Sequence, residues 1–259
     1  MNEEKLYDIL KEAFTGLNRE QAHLVKEIAQ SLAQNVYSKI SPHSDICSER
    51  FCSEFETRLK LYHSLNNDAL KKKTFEYTFA LSSRKDLKVA DIQENSVHAG
   101  ADVIVNGIPF SLKTEASRSI LANRIKISKL MEARWIRECS STVDIVEGLH
   151  KRVVPHLEKY ERIIVLRAIK YHENSYQYRL LEVPKKVLLL VEKLSSDDFT
   201  PITKNGSSRA DVYENNKKLF RIRIDGSVEK VTIEHLLEDC CVFHGEWIIP
   251  LKDLTQSEL

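Results

Sequence analysis

No segment constrains this chain more than Ala101 to Glu115, which reads Ala-Asp-Val-Ile-Val-Asn-Gly-Ile-Pro-Phe-Ser-Leu-Lys-Thr-Glu. Asn-Gly between two alternating runs is the strongest short hairpin signal, because a type I′ turn needs positive φ at both central residues. A two-residue loop at Asn106-Gly107 fixes the register. Val105 then faces Ile108, Asp102 stands opposite Ser111, and Lys113 becomes the diagonal neighbour of Asp102. Strand side chains alternate between faces. Ala101, Val103, Val105, Ile108, Phe110 and Leu112 therefore share an apolar face, and Asp102, Ser111, Lys113 and Glu115 share the other. Opposed Cβ atoms lie about 4.5–5.5 Å apart and diagonal ones about 7–8 Å, so these polar groups can converge on one ion or one phosphate.

Around this hairpin the hydrophobic period changes along the chain. Residues 1–66 read as a helical N-terminal subdomain: Leu6, Ile9, Leu10 and Phe14, then Leu24, Ile28, Leu32 and Val36, then Phe51, Phe55, Leu59 and Tyr62 recur at helical spacing. Another helix is expected from about 67 to 81, carrying Phe75-Glu76-Tyr77. Strands are expected at 89–92, 101–105 and 108–114, then a long helix from about 120 to 139. Further strands follow at 163–169, an apolar run broken only by Arg167, and at 176–183. Pro184 suits the first turn of a helix through Leu194. The tail offers strands near 212–213, 218–224 and 228–233, with Asp225-Gly226 as a hairpin turn. The expected fold class is α/β or α+β, divided into a helical part (1–66), a core (67–195) and a β-rich C-terminal part (196–259).

Charge is partitioned. The whole chain carries 39 Lys+Arg against 38 Asp+Glu, a net +1, which excludes a uniformly basic DNA-coating protein. Yet Lys113, Arg118, Arg124, Lys126, Lys129, Arg134 and Arg137 face only Glu115 and Glu132 in residues 113–137, while residues 232–259 are acidic. With 7 Gly and 6 Pro the chain is neither collagen-like nor a Gly/Pro-rich disordered segment. Its start, Met-Asn-Glu-Glu-Lys, is acidic and polar where a signal peptide is basic then apolar, and no apolar run approaches the length that spans a bilayer, so a cytoplasmic protein without membrane association is expected. Five cysteines, an odd number, are expected as reduced thiols. A zinc site drawn from His43, Cys47, Cys52, Cys240, Cys241 and His244 lacks the usual paired spacing. No Gly-x-Ser-x-Gly, Walker loop or His-Glu-x-x-His occurs.

An ordinary wet hairpin would also carry polar groups on one face. Three features argue otherwise: acid and base sit together, a basic segment follows at once, and the preceding helix presents Glu76 after Phe75. A helix with a Glu, a strand with an Asp, a hairpin into an x-Lys strand, then a helix resembles the PD-(D/E)xK nuclease core of many type II restriction endonucleases. The resemblance covers residues 70–140. It implies a restriction-endonuclease-like fold, with a mixed central sheet flanked by helices, and assigns Asp102 as metal-binding acid, Lys113 as catalytic base or charge stabiliser, and Glu76 as accessory acid. Ser111 stands where a second metal-binding acid is expected, giving the Ser-x-Lys variant that recruits an acid from elsewhere. Glu76, Glu115 and Glu132 are the candidates, in that order of preference.

The resemblance further implies a Mg²⁺-dependent endodeoxyribonuclease that cuts duplex DNA at a short, palindromic site as a homodimer and leaves 5′-phosphates. A cognate DNA methyltransferase would belong to the same restriction-modification system of a prokaryotic cell, without direct contact. Expected DNA contacts are Arg118, Arg124 and Lys126 after the hairpin, and Arg209, Arg221 and Arg223 in the tail, whose loops concentrate Asn, Ser, Lys and Arg. The alternatives are a structure-selective repair or recombination nuclease on the same core, or an inactive DNA-binding module in which Ser111 marks a lost acid. Scattered aromatics argue against single-stranded or RNA recognition.

Overall fold

The computed structural model describes residues 3–93, 100–117, 120–172 and 174–251. In chain order the elements are α1 (Glu3–Phe14), α2 (Arg19–Ala33), β1 (Tyr37–Ile40), α3 (Glu49–His63), α4 (Lys72–Lys85), β2 (Ala90–Ile92), β3 (Val103–Val105), β4 (Ile108–Glu115) and β5 (Arg124–Glu132). There follow α5 (Thr142–Gly148), α6 (Val154–Glu158), β6 (Arg162–Lys170), β7 (Ser175–Glu182), α7 (Lys185–Leu188), β8 (Ser208–Glu214), β9 (Lys217–Asp225), β10 (Lys230–Leu237) and β11 (Val242–Pro250). A seven-stranded sheet runs β1-β11-β7-β6-β4-β3-β2, and a four-stranded sheet runs β5-β10-β9-β8. The larger sheet is mixed, since β4 pairs with β6 in parallel while its other pairs are antiparallel. This is the α+β architecture with a helix-flanked mixed sheet expected of a restriction-endonuclease-like core.

Two hydrophobic layers sandwich the larger sheet. On one face, Phe51, Phe55 and Leu59 of α3 and Phe75 and Phe79 of α4 meet Val103, Val105, Phe110 and Leu112 of the hairpin. The i, i+4, i+8 spacing of the α3 residues puts them on one stripe, so all three are buried. Ser48 starts this helix by accepting the Phe51 N–H. Truncating Phe55 to alanine would cost about 3–5 kcal/mol, because its ring packs against Phe51, Phe75 and Trp247. On the other face, Ile163 and Val165 of β6 join α5, α6 and the inner face of the four-stranded sheet.

The hairpin register is as the sequence dictates. Val103 pairs with Phe110 and Val105 with Ile108, and both Asn106 (φ 49°) and Gly107 (φ 80°) take positive φ. A second tight turn, Asn215-Asn216, joins β8 to β9 with φ of 49° and 61°.

Elsewhere the sequence expectation is corrected. The helix expected over 120–139 is strand β5 followed by a short 3₁₀ turn at Arg134–Glu138. In Arg-Ile-Lys-Ile-Ser-Lys-Leu-Met-Glu the apolar spacing is two, then three, because the pairing with β10 shifts register twice; that irregularity mimics a helical period. Residues 37–40, expected within a helical segment, form strand β1 on the edge of the large sheet, paired with β11. Strand β11 itself had no counterpart in the sequence reading. Asp225-Gly226 does not form a two-residue turn, since Asp225 pairs with Lys230 across residues 226–229.

Candidate active site

The hairpin and the first turn of α4 build a charged cluster at one end of the large sheet. Asp102, just before β3, is anchored by its backbone, whose N–H donates to the Phe110 carbonyl at 2.8 Å. Its Oδ2 accepts the Leu112 N–H at 2.7 Å and the Ser111 hydroxyl at 3.3 Å. Ser111 is fully buried, so its hydroxyl orients the carboxylate and has no access to solvent. The opposite oxygen, Oδ1, accepts from Lys72 Nζ at 2.7 Å. Lys72 also lies 3.4 Å from Glu76 Oε1, one helical turn along α4, and Lys73 lies 3.2 Å from Glu76 Oε2. Glu76 is buried although it carries a carboxylate, which its two lysine partners compensate.

Lys113 lies half-buried on the same strand face as Ser111. Burial holds its pKa down at about 8; Asp102 and Glu76 oppose the shift, while Lys72 and Lys129 add to it. His156, held to the Leu130 carbonyl at 3.3 Å, is kept neutral by burial and by the Lys113 charge, which push its pKa to about 4. Asp102, Glu76, Ser111 and Lys113 are thus brought together. Lys72 and His156 complete the cluster and had no place in the sequence reading. Lys72 stands four residues before Glu76, a spacing that pairs side chains on one helix face, and that was the available signal. Two carboxylate oxygens, Asp102 Oδ1 and Glu76 Oε1, already share one positive charge. Hard oxygen donors around a cation are the ligand set that Mg²⁺ takes, so these residues fit such an ion.

The other two candidate acids lie apart from this cluster. Glu115 shares the face of Ser111 but follows it by four residues, about 13 Å along a strand. Its Oε1 accepts the Lys126 N–H at 2.9 Å and its Oε2 pairs with Arg167 Nε at 2.6 Å. Burial nevertheless pushes the Glu115 pKa up, against the pull of Arg167. Arg167, fully buried on β6 directly beside Glu115, also pairs with Glu238 and donates to the carbonyls of Leu121, Ala122 and Arg124. Glu132, expected on a helix, lies on β5, exposed, with Lys129 at 2.5 Å.

Among the described residues one group of three potential metal ligands converges elsewhere: Asp45, Glu182 and His244. Arg162 fills this group with its guanidinium, at 2.7 Å from Asp45 Oδ2 and in contact with Glu182. His244 bonds Ser44 through Nδ1 at 2.8 Å and Glu182 through Nε2 at 3.2 Å. The cysteines are free thiols. The neighbouring Cys52 thiol, and then burial, push the Cys47 pKa up, as expected of inert structural sulfur.

Of the expected DNA contacts, Arg118 lies outside the described residues. Arg124 and Lys126 are on a strand instead of the expected helix. Arg124 is half-buried and donates to the His235 carbonyl at 3.1 Å, and Lys126 is exposed. Arg209 pairs across the strands with Arg223, and Asp211 with Arg221, so all four share the outer face of the four-stranded sheet. Arg221 is bound to Asp211 at 2.6 Å and Arg223 to Asp225 at 3.1 Å. Among the described residues no helix is long and apolar enough to cross a membrane.

The model of the SmaI family, described as type II site-specific deoxyribonuclease, matches residues 10–249. The type II restriction enzyme SmaI of Serratia marcescens is 32% identical over 239 residues, which cover 89% of this chain and 91% of that relative. No solved structure matches.

Proposed function

The chain belongs to the SmaI family of type II site-specific deoxyribonucleases, and on that premise we propose that it cuts duplex DNA by Mg²⁺-dependent hydrolysis at a PD-(D/E)xK-type site built from Asp102, Glu76, Ser111 and Lys113. The observation that carries this reading is the shared cation position between Asp102 Oδ1 and Glu76 Oε1. Asp102 and Glu76 would hold the ion, which supplies Lewis-acid polarisation of the phosphoryl oxygen when bound. Glu76, first in the order of preference from the sequence, takes the place of the acid that Ser111 lacks. Ser111 positions Asp102 by its hydroxyl. Glu115 serves the fold by neutralising Arg167, and Glu132 takes no part.

Lys113 does what a half-buried ammonium with a pKa of about 8 can do. Near neutral pH it is charged enough to stabilise the phosphorane oxygens, yet close enough to titration to exchange a proton with the attacking water. In-line attack that expels the 3′ oxygen leaves a 5′-phosphate. A two-fold homodimer matches a palindromic site. The outer face bearing Arg209, Arg221 and Arg223, and the Arg118, Arg124 and Lys126 segment, make the DNA contacts. The enzyme works in the cytoplasm of a prokaryotic cell whose methyltransferase protects the same site.

Digestion of a DNA of known sequence, with Mg²⁺ or with chelator, followed by end mapping tests this. Discrete fragments with 5′-phosphate ends at a two-fold-symmetric sequence are expected only with the metal. Equal cutting in chelator, or 3′-phosphate ends, would overturn it.

A further inference from the structure

Lys72 has a chemistry that the cleavage reaction does not explain. Its ammonium reaches Asp102 Oδ1 at 2.7 Å and Glu76 Oε1 at 3.4 Å, although Lys73 already serves the other oxygen of Glu76. Side-chain exposure is 45% for Lys72 against 16% and 9% for Asp102 and Glu76. The lysine therefore reaches in from solvent and ends between two carboxylates that are held in place by other bonds. Asp102 is fixed by Leu112 and Ser111 on its far oxygen, so withdrawal of Lys72 would leave its Oδ1 aimed at the same point. Without a cation there, two acids would face each other in a partly desolvated corner and repel.

Resting on the metal-site reading above, we propose that Lys72 is a displaceable counter-ion: it occupies the cation position of the Asp102–Glu76 pair in the metal-free protein and is expelled when a divalent ion enters. A divalent cation takes the place of a single positive charge between the same two carboxylates, so the ligands stay assembled throughout. Two consequences follow from linkage. Metal binding pays for breaking the Lys72 contacts, so wild-type affinity is lower than the bare carboxylates would give. Metal-free protein is stabilised by Lys72, so removing that charge makes stability depend more on metal.

The test measures Mn²⁺ binding without DNA, by electron paramagnetic resonance of the free ion, in wild type, Lys72→Met, Lys72→Arg and Asp102→Asn. Lys72→Met should bind Mn²⁺ about tenfold tighter than wild type, a coupling in the usual range, while Lys72→Arg should stay close to wild type. The Mn²⁺-induced rise in melting temperature should also be larger in Lys72→Met than in wild type. Equal or weaker binding by Lys72→Met, with binding still lost in Asp102→Asn, would overturn the counter-ion role and leave the metal site standing. Undiminished Mn²⁺ binding in Asp102→Asn would overturn both.

Discussion

Replacing Arg167 with methionine should cost about 3–5 kcal/mol of folding stability, the usual loss when one partner of a buried ion pair is removed. The reasoning runs through Glu115. Arg167 is fully buried, and its guanidinium is spent on Glu115 at 2.6 Å, on Glu238, and on the carbonyls of Leu121, Ala122 and Arg124 at 2.7, 3.0 and 2.7 Å. Methionine fills similar volume but donates nothing. Glu238 keeps Arg179, whereas among the described residues Glu115 keeps only the Lys126 N–H, in a place where burial already raises its pKa. The double variant Arg167→Met/Glu115→Gln removes the stranded charge and should recover a substantial part of the loss. Urea unfolding followed by circular dichroism at neutral pH measures both. A loss below about 1 kcal/mol in Arg167→Met, or no recovery in the double variant, would refute the view that Glu115 serves a buried ion pair.

Other consequences are as direct. Glu76→Gln should lower the cleavage rate by about 10²-fold or more, the scale for losing one charge-stabilising group, while Glu115→Gln and Glu132→Gln should cleave near the wild-type rate; equal losses at Glu115 would reassign the second ligand. Alanine at Arg209, Arg221 or Arg223 should each reduce the slope of log affinity against log salt by about one if they meet phosphates, and an unchanged slope in the triple variant would remove that face from the interface. For His156, the unfolded chain gains a proton as pH falls through 6.5, whereas the folded ring stays neutral down to about 4. Stability should therefore drop as pH is lowered across that window. His156→Gln should flatten the dependence in acid unfolding curves, and an unchanged profile would contradict it.

How much of this was legible follows from how local each signal is. The hairpin depends on Asn106-Gly107 and on alternation within a dozen residues, so its register and the meeting of Asp102 with Ser111 could be read directly. Strand β5 could not, because its bulged pairing with β10, a hundred residues away, breaks the two-residue period. The face of Glu115 was also readable. Its partner was not: Arg167 stands on a parallel neighbour brought in by a crossover through α5 and α6. Likewise Glu76 was placed by order along the chain, but the role of Lys72 needed the packing of α4 onto the hairpin. Arg221 and Arg223 could be named as DNA contacts from their alternation, but their pairing with Asp211 and Asp225 is set by the sheet.

The central proposal is that Asp102 organises a metal-dependent cut with Lys113 beside it. Single-turnover cleavage of a plasmid in Mg²⁺ by Asp102→Asn and Lys113→Met, each first matched to wild type in circular dichroism and in DNA binding, tests it most directly. Both should bind DNA as wild type does and cleave at least about 10²-fold more slowly. Wild-type cleavage by either variant would place the chemistry elsewhere in the molecule.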